Sequence, residues 1–478
     1  MLFNSLQFAI FFVIVYALYL MLKHKWQNRM LLLASYVFYG SWDWRFLSLI
    51  LASTVLDYIC GIKIHESRDD RRRKWFLCFS IIGNLSILGF FKYFDFFATS
   101  FQSLLGLFGL SVQPHLLRVI LPMGISFYTF QTMSYTIDIY RREMEPTRKF
   151  FDFALFVAFF PQLVAGPIER ARHLLPQMLA PRKMSLDKFY NGCCLIFWGL
   201  FLKIFVADNL ARIVDPVFAE VPPYNGLKVL LALYAFAFQI FSDFAGYSSI
   251  ARGLGKCMGF EIMINFNLPY FSTNPQEFWR RWHISLSNWL RDYLYIPLGG
   301  NRKGTVITYR NLAITMLLGG LWHGAAWTFI TWGAYHGAIL IIYRILKPFF
   351  EKKSFSKGAL IGKAWFWVKV VFFFHLMCLG WLIFRAQSMT QVFQMMQSLF
   401  INFYEFQLVR GISIMHSAAI IVSCVWLVLI IQLIQHWKND LMVVYKWPAA
   451  LIAVIHAIMF YLIVLHGTPG YKFIYFQF

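Results

Sequence analysis

The sequence predicts an all-α polytopic membrane protein, and three observations carry that prediction. Of 478 residues, 59% are hydrophobic and only 14% charged, where a soluble domain carries about 25% charged residues. Apolar runs are long and unbroken, as at residues 8–22 and 418–434. Basic residues gather in the short stretches between those runs, giving a net charge of +22 from 44 Lys+Arg against 22 Asp+Glu. In water so much apolar surface would aggregate. In lipid only helices or closed barrels satisfy every backbone polar group, and a barrel would show short alternating segments. A positive balance of this size suggests nucleic acid in a soluble chain. Here it follows the positive-inside distribution and suits anionic headgroups, so the bilayer is the expected partner and nucleic acid is not.

Loop charge orders the crossings. Residues 23–29 are basic and read as cytoplasmic, which puts the N-terminus outside. Residues 41–44 then turn outside. Residues 68–74 (four Arg, one Lys), 141–149 and 169–188 lie inside, and the acidic, Pro-rich 215–226 outside. Arg302-Lys303 and 347–357 fall inside, 387–411 outside and 435–446 inside. The alternation holds with roughly eleven or twelve crossings, near 3–22, 30–44, 46–62, 75–91, 116–140, 189–213, 227–252, 311–326, 328–346, 363–385, 412–436 and 447–466. Spans 30–44 and 311–326 are shorter than the ~20 residues a crossing prefers, which suggests tilt or half-helices lining a cavity. The first apolar run has no basic leader and no small-residue cleavage site, and reads as a retained helix. With no repeat and no linker, the chain reads as one membrane domain, 1–478.

Two regions do not fit simple crossings. Residues 150–167 are apolar but broken by Pro161, Gly166 and Pro167; residues 271–304 are long enough to span but too polar. Both read as re-entrant or interfacial, tolerated at membrane depth only against protein or a water-filled cavity. The seven cysteines form no metal spacing, sit mostly in apolar runs and are assigned no function or metal.

The chemistry is concentrated in two stretches. The first is STNPQEFWRRWHISLSNWLRDYLYIPLGGNRKG, residues 272–304. Asn274 is placed to cap a helix, with Pro275 at its first position and Glu277 three after the cap. The spacing predicts one helix to about Tyr295, with Trp279, His283, Ser287 and Leu290 on a shared face. Asn288, Arg291 and Asp292 are polar positions hard to place in lipid. The alternative is an amphipathic helix lying on the inner leaflet. The second stretch is NLAITMLLGGLWHGAA, residues 311–326, apolar apart from His323. At 1.5 Å per residue His323 lies about 18 Å along from Asn311, past the middle of a ~30 Å core. An ionisable side chain there marks a cavity or proton path, or else a neutral histidine bonded to a neighbouring helix. The structural reading is stronger for His336, His375, His456 and His466. A neutral buried histidine suits general-base catalysis; Trp322, His283 or a backbone N–H beside Gly319, Gly320 and Gly324 could serve a developing oxyanion.

These stretches together resemble the membrane-bound O-acyltransferase family, and within it the branch of the bacterial alginate O-acetyltransferase membrane subunit. FPQLVAGPIER at 160–170, SDFAGYSSIARGLGKCMGF at 242–260, FWRRWHISLSNWLRDYLYIPLGGNRKG at 278–304, RNLAITMLLGGLWHGAAWTFITWGAYHG at 310–337 and a closing FIYFQF carry the resemblance, which is densest over 160–337. It implies a ring of helices around a central funnel thinnest at the catalytic histidine, His323, with His283 as the second family histidine. Trp322, Trp279, Ser287, Asn288, Arg291 and Asp292 then line the donor path. It also implies an acyl thioester as substrate (acetyl-CoA or an acyl carrier), no permanently bound cofactor, a periplasmic or extracytoplasmic polysaccharide acetyltransferase as partner, and a bacterial inner-membrane location. Acetyl transfer to an exported polysaccharide such as alginate leads, and the sequence does not separate the acceptors. D-alanyl transfer to teichoic acid, acetylation of cellulose or peptidoglycan, and a transporter with proton-relay histidines are the alternatives.

Overall fold

The computed structural model describes every residue except 114, 115, 118, 165, 353–358, 402, 404–407, 469, 472 and 475–478, and leaves undescribed the helical side chains of 350–352, 359–360 and 408–413. The described chain is helical with no strand. Eight stretches are long and apolar enough to cross a membrane: His24–Glu66, Asp70–Leu107, Leu186–Ala219, Gly226–Cys257, Trp327–Phe349, Ile361–Arg385, Ile414–Lys438 and Ala449–His466. This is fewer than the eleven or twelve crossings expected. His24–Glu66 alone holds two of the expected spans, and Leu6–Met21 and Phe150–Leu163 are apolar but shorter. The protein is a multi-pass membrane protein.

The chain divides into two compact units, Met1–Ile196 with Ile250–Met263, and Phe197–Ser249 with Ile264–Phe478. In the first, α1 is Leu6–Met21, α2 His24–Asp43, α3 Leu47–Glu66, α4 Asp70–Leu88 and α5 Phe94–Leu107. Basic residues 24–29 are helical, so α2 has 20 residues and the short span expected at 30–44 is long enough to cross. Then α6, Ile125–Tyr140, starts after Gly124 at φ 72 and is buried almost throughout. It packs tightly on α3: a Cβ on Gly61 would sit 2.7 Å from the Tyr135 ring. Asp57 on α3 accepts hydrogen bonds from Ser80 at 2.5 Å and Asn84 at 2.9 Å, both on α4, a buried carboxylate satisfied as the interior requires.

The broken apolar region is as the prolines suggest. Helix α7, Phe150–Ala158, ends at Phe159 and α8, Phe160–Leu163, restarts with Pro161 in its first turn. The break frees backbone groups, and side chains meet them. Gln131 and Gln162 donate to Phe156 O at 2.6 and 3.0 Å, and Phe160 N donates to Ser35 Oγ at 3.1 Å. Helices α9, Ala171–Leu179, and α10, Leu186–Leu200, follow.

In the second unit, a π-helical turn Phe201–Ala207 leads into α11, Asp208–Ala219; α12, Gly226–Cys257, begins in this unit and from Ile250 belongs to the first. Lys203 lies buried between Asp208 at 2.7 Å and Asp243 at 2.9 Å. Next come α13, Pro275–Arg281, α14, Ile284–Leu290, α15, Thr305–His323, α16, Trp327–Lys352, α17, Ala359–Arg385, α18, Met389–Ser398, α19, Leu408–Lys438, and α20, Ala449–His466. Helices α15 and α16 approach backbone to backbone through Gly320 and Gly333; a Cβ on Gly320 would sit 3.1 Å from Gly333 Cα. The span expected at 311–326 is thus displaced: α15 begins six residues earlier and ends on the histidine.

Two stretches that loop charge assigns to the inside meet: Arg182, in 169–188, donates to Asn28, in 23–29, at 2.6 Å. Arg73 donates to Tyr140 O at 2.7 Å, at the end of the span expected at 116–140, and Arg148 pairs with Glu66 at 3.2 Å, just ahead of 68–74. Asp215, read as outside, pairs at 2.8 Å with Arg385, the last residue of the span expected at 363–385. Lys353, in the stretch 347–357 expected inside, and Tyr404, in 387–411 expected outside, lie outside the described residues, as does the end of FIYFQF.

Candidate active site

The polar stretch folds as the capping residues dictate at its start. Asn274 accepts from Glu277 N at 3.0 Å and Pro275 opens α13. The Glu277 carboxylate turns back to accept from Thr273 N and Oγ1, both at 2.9 Å. The single helix expected to Tyr295 is not formed. It breaks at His283, which adopts φ 42, ψ 54 as the cap of α14, so Trp279 and His283 do not share one continuous helical face. A left-handed backbone costs an L-residue roughly 1–2 kcal/mol, and the surroundings hold it. Asn267 N donates to Arg281 O and Ile284 N to Asn265 O, both at 2.9 Å. The Asn265 side chain accepts from Ser285 N at 3.2 Å and Ser285 Oγ at 2.9 Å, and donates to Ser248 at 3.3 Å. An extended segment thus splints the break with bonds a helix would have made internally.

The break aims the His283 imidazole inward. Its Nδ1 accepts from Leu286 N at 3.2 Å, which leaves the proton of the neutral ring on Nε2. Burial lowers its pKa to about 3, opposed by the backbone hydrogen bond, so the ring is a neutral Nε2–H donor at physiological pH.

His323 closes α15 with Gly324 extended behind it. A side chain at Gly324 would run into the Phe329 ring, so the glycine is needed there. The His323 ring packs edge-on to Trp332 at 5.0 Å, Trp322 at 5.1 Å, Phe384 at 5.4 Å and His283 at 6.4 Å between centroids. The two sequence-predicted histidines are therefore brought together inside one aromatic enclosure. Trp322 touches both, lying 5.9 Å from His283. Trp279 joins less directly, 5.8 Å from Trp332 and 5.1 Å from His336.

The other expected site residues lie further along α14. Ser287 Oγ donates to Trp282 O at 3.1 Å, a structural bond across the break. Asn288 is half-buried. Arg291 and Asp292 pair with each other at 2.8 Å, with the arginine exposed. They open the π-helical turn Arg291–Tyr295. Leu290 beside them packs at Gly319, one turn before His323. Sequence reasoning missed Asn265, Trp332 and Phe384, and gave His336 no role. The i, i+4 pair Trp332/His336 on α16 was a visible signal, whereas Asn265 sits in an extended segment with no periodicity.

The chain matches the membrane-bound O-acyltransferase family over residues 140–384, which contains both histidines. It is 45% identical to the probable alginate O-acetylase AlgI of Azotobacter vinelandii, over 84% of this chain and 78% of the relative. It is 36% identical to the peptidoglycan O-acetyltransferase of Helicobacter pylori, over 77% of this chain and 73% of the relative. The teichoic acid D-alanyltransferase of Bacillus subtilis is 28% identical, over 55% of this chain and 69% of the relative. Nearly half the residues agree with an alginate O-acetylase across most of both chains, and the family match encloses the histidine pair: the chain belongs to the membrane-bound O-acyltransferase family.

Proposed function

We propose that the protein moves an acetyl group from a cytoplasmic thioester, acetyl-CoA or an acylated carrier, across the bacterial inner membrane for O-acetylation of an exported polysaccharide such as alginate. The pairing of His323 with His283 in one aromatic enclosure carries this reading. His323 takes the proton of the acceptor hydroxyl as its oxygen attacks the thioester carbonyl carbon. The tetrahedral oxyanion accepts a hydrogen bond from His283 Nε2–H. Collapse breaks the C–S bond, and the thiolate leaves with the proton from His323, so the base is regenerated each turn. On this reading Trp322, Trp279, Ser287, Asn288, Arg291 and Asp292 lie along the donor's path, the two compact units act as one catalytic domain, and a periplasmic transferase receives the acetyl group.

Greater identity and coverage to the acetylases than to the D-alanyltransferase favours acetyl. Peptidoglycan is the second acceptor to test, on the strength of the Helicobacter relative. The test is His323→Gln in full-length protein, with O-acetyl groups on envelope glycans read by mass spectrometry and transfer from labelled acetyl-CoA read in membranes. Gln keeps hydrogen-bonding capacity without basicity, so both signals should vanish at wild-type expression. Retained acetylation would remove the general base and put the transporter reading ahead. Periplasmic labelling should reach Asp215→Cys and not Lys183→Cys; the reverse would overturn the orientation.

A further inference from the structure

Buried polar atoms in folded proteins are nearly always hydrogen-bonded. Near His323 several are not. The indole Nε1 atoms of Trp279, Trp332 and Trp381 and both ring nitrogens of His336 are buried with no hydrogen-bond partner among the described residues. Their rings form one packed set, with Trp332 at 4.5 Å from His336, 5.8 Å from Trp279 and 6.3 Å from Trp381. An indole N–H can only donate. The donor that lies beside His323 is therefore suited to an acceptor oxygen. Of the three indoles, Trp332 is the one that packs against His323, edge-on at 5.0 Å.

We propose that Trp332 is a catalytic residue whose indole N–H donates to the thioester carbonyl oxygen and holds it as negative charge develops there. This rests on the acyl-transfer reading above. As the acceptor oxygen bonds to the carbonyl carbon and its proton passes to His323, the carbonyl π pair moves onto the oxygen facing Trp332. When the C–S bond breaks the pair returns, and the hydrogen bond relaxes to one with a neutral carbonyl. Such a donor gains most in the transition state, so it acts on turnover more than on binding. His336, packed edge-on against the indole and with its Nε2 only 3.0 Å from where a Gly380 Cβ would stand, fixes the orientation of Trp332.

Trp332→Phe keeps an aromatic ring and removes the donor. In membranes carrying the full chain, with labelled acetyl-CoA as the probe, kcat should fall about 10²-fold while KM for acetyl-CoA stays within about twofold. Trp381→Phe removes an indole of equal burial from the same packed set without touching His323, and controls for lost packing; it should keep kcat within a few-fold. An equal loss in both variants, or a Trp332→Phe enzyme with wild-type kcat, overturns the proposal. If His323→Gln is inactive while Trp332→Phe is wild-type, only this donor is removed and the general base stands. If His323→Gln is active, the acyl-transfer reading fails first.

Discussion

The two histidines sit 6.4 Å apart yet are held by opposite means. His283 is fixed by directional bonds, through its own Nδ1 to Leu286 N and through a backbone splinted by Asn265, Ser285 and Ser248. His323 is enclosed by rings, with Trp322, Trp332 and Phe384 packed edge-on around it. Hydrogen bonds fix a tautomer and a direction; ring packing fixes a position and excludes water. A donor to an oxyanion needs the first, because its N–H must already point at the oxygen. A base that takes and returns a proton each turn needs the second, because a ring held in place away from water keeps its position through both transfers.

That difference can be tested in descending order of effect. Removing the donor itself, His283→Ala, should lower acetyl transfer about 10²–10³-fold, measured as initial rate in membranes at matched expression. Wild-type turnover would reduce His283 to a cap of α14. Removing the splint, Asn265→Ala, deletes the hydrogen bonds that Ser285 N and Oγ donate to the Asn265 side chain, at about 0.5–1.5 kcal/mol each. A lower unfolding temperature in detergent and a several-fold loss of rate are expected together. A stable but inactive variant would mean that Asn265 acts on the substrate and not through His283. Thinning the ring enclosure by Phe384→Leu, which keeps an apolar side chain but leaves space where the ring stood, should cost only a few-fold in rate, because two other rings still pack on His323. A loss as large as that of His283→Ala would mean that the two histidines depend alike on directional bonds and on ring packing.

Much of this was legible in the chain. Helical membrane character followed from composition. The Asn274-Pro275-Glu277 start of α13 followed from capping chemistry, and the break near Pro161 from proline's missing N–H. The two histidines stood out as ionisable groups in stretches otherwise shaped for lipid. The break at His283 was not legible, because helical spacing from Trp279 to Leu290 is satisfied equally by one helix or by two joined at a left-handed residue. What decides between them is the segment 265–267, whose hydrogen bonds come from 14–20 residues away in sequence. The ring enclosure was invisible for the same reason: Trp332 and Phe384 come from α16 and α17, and no local pattern reveals that they converge on His323.

The smallest expected effect compares His283 with a histidine that is not enclosed. His173 sits on α9 and bonds through Nδ1 to Glu169 at 2.8 Å. That hydrogen bond, opposed by partial burial and helped by the charges of Glu169 and Glu261, raises its pKa above the ordinary value. A folded-state pKa raised above the unfolded ~6.5 means the folded protein binds more protons across the interval between them. The stabilisation is therefore complete below about pH 6.5 and fades as pH rises through the folded value. His283 has the opposite sign: its lowered pKa makes the unfolded chain the better proton acceptor between about pH 3 and 6.5, so its share of stability is lost as pH falls. His173 is half-exposed, so screening keeps its share small. Glu169 also accepts from Met263 N at 2.6 Å, a contact independent of the imidazole's charge. Comparing wild type with His173→Gln by thermal unfolding in detergent, the wild-type advantage should be greatest near pH 6 and shrink steadily towards pH 9. An advantage that stays constant over that range would show that the pair contributes through its geometry alone, and that charge separates the two kinds of histidine less than their surroundings suggest.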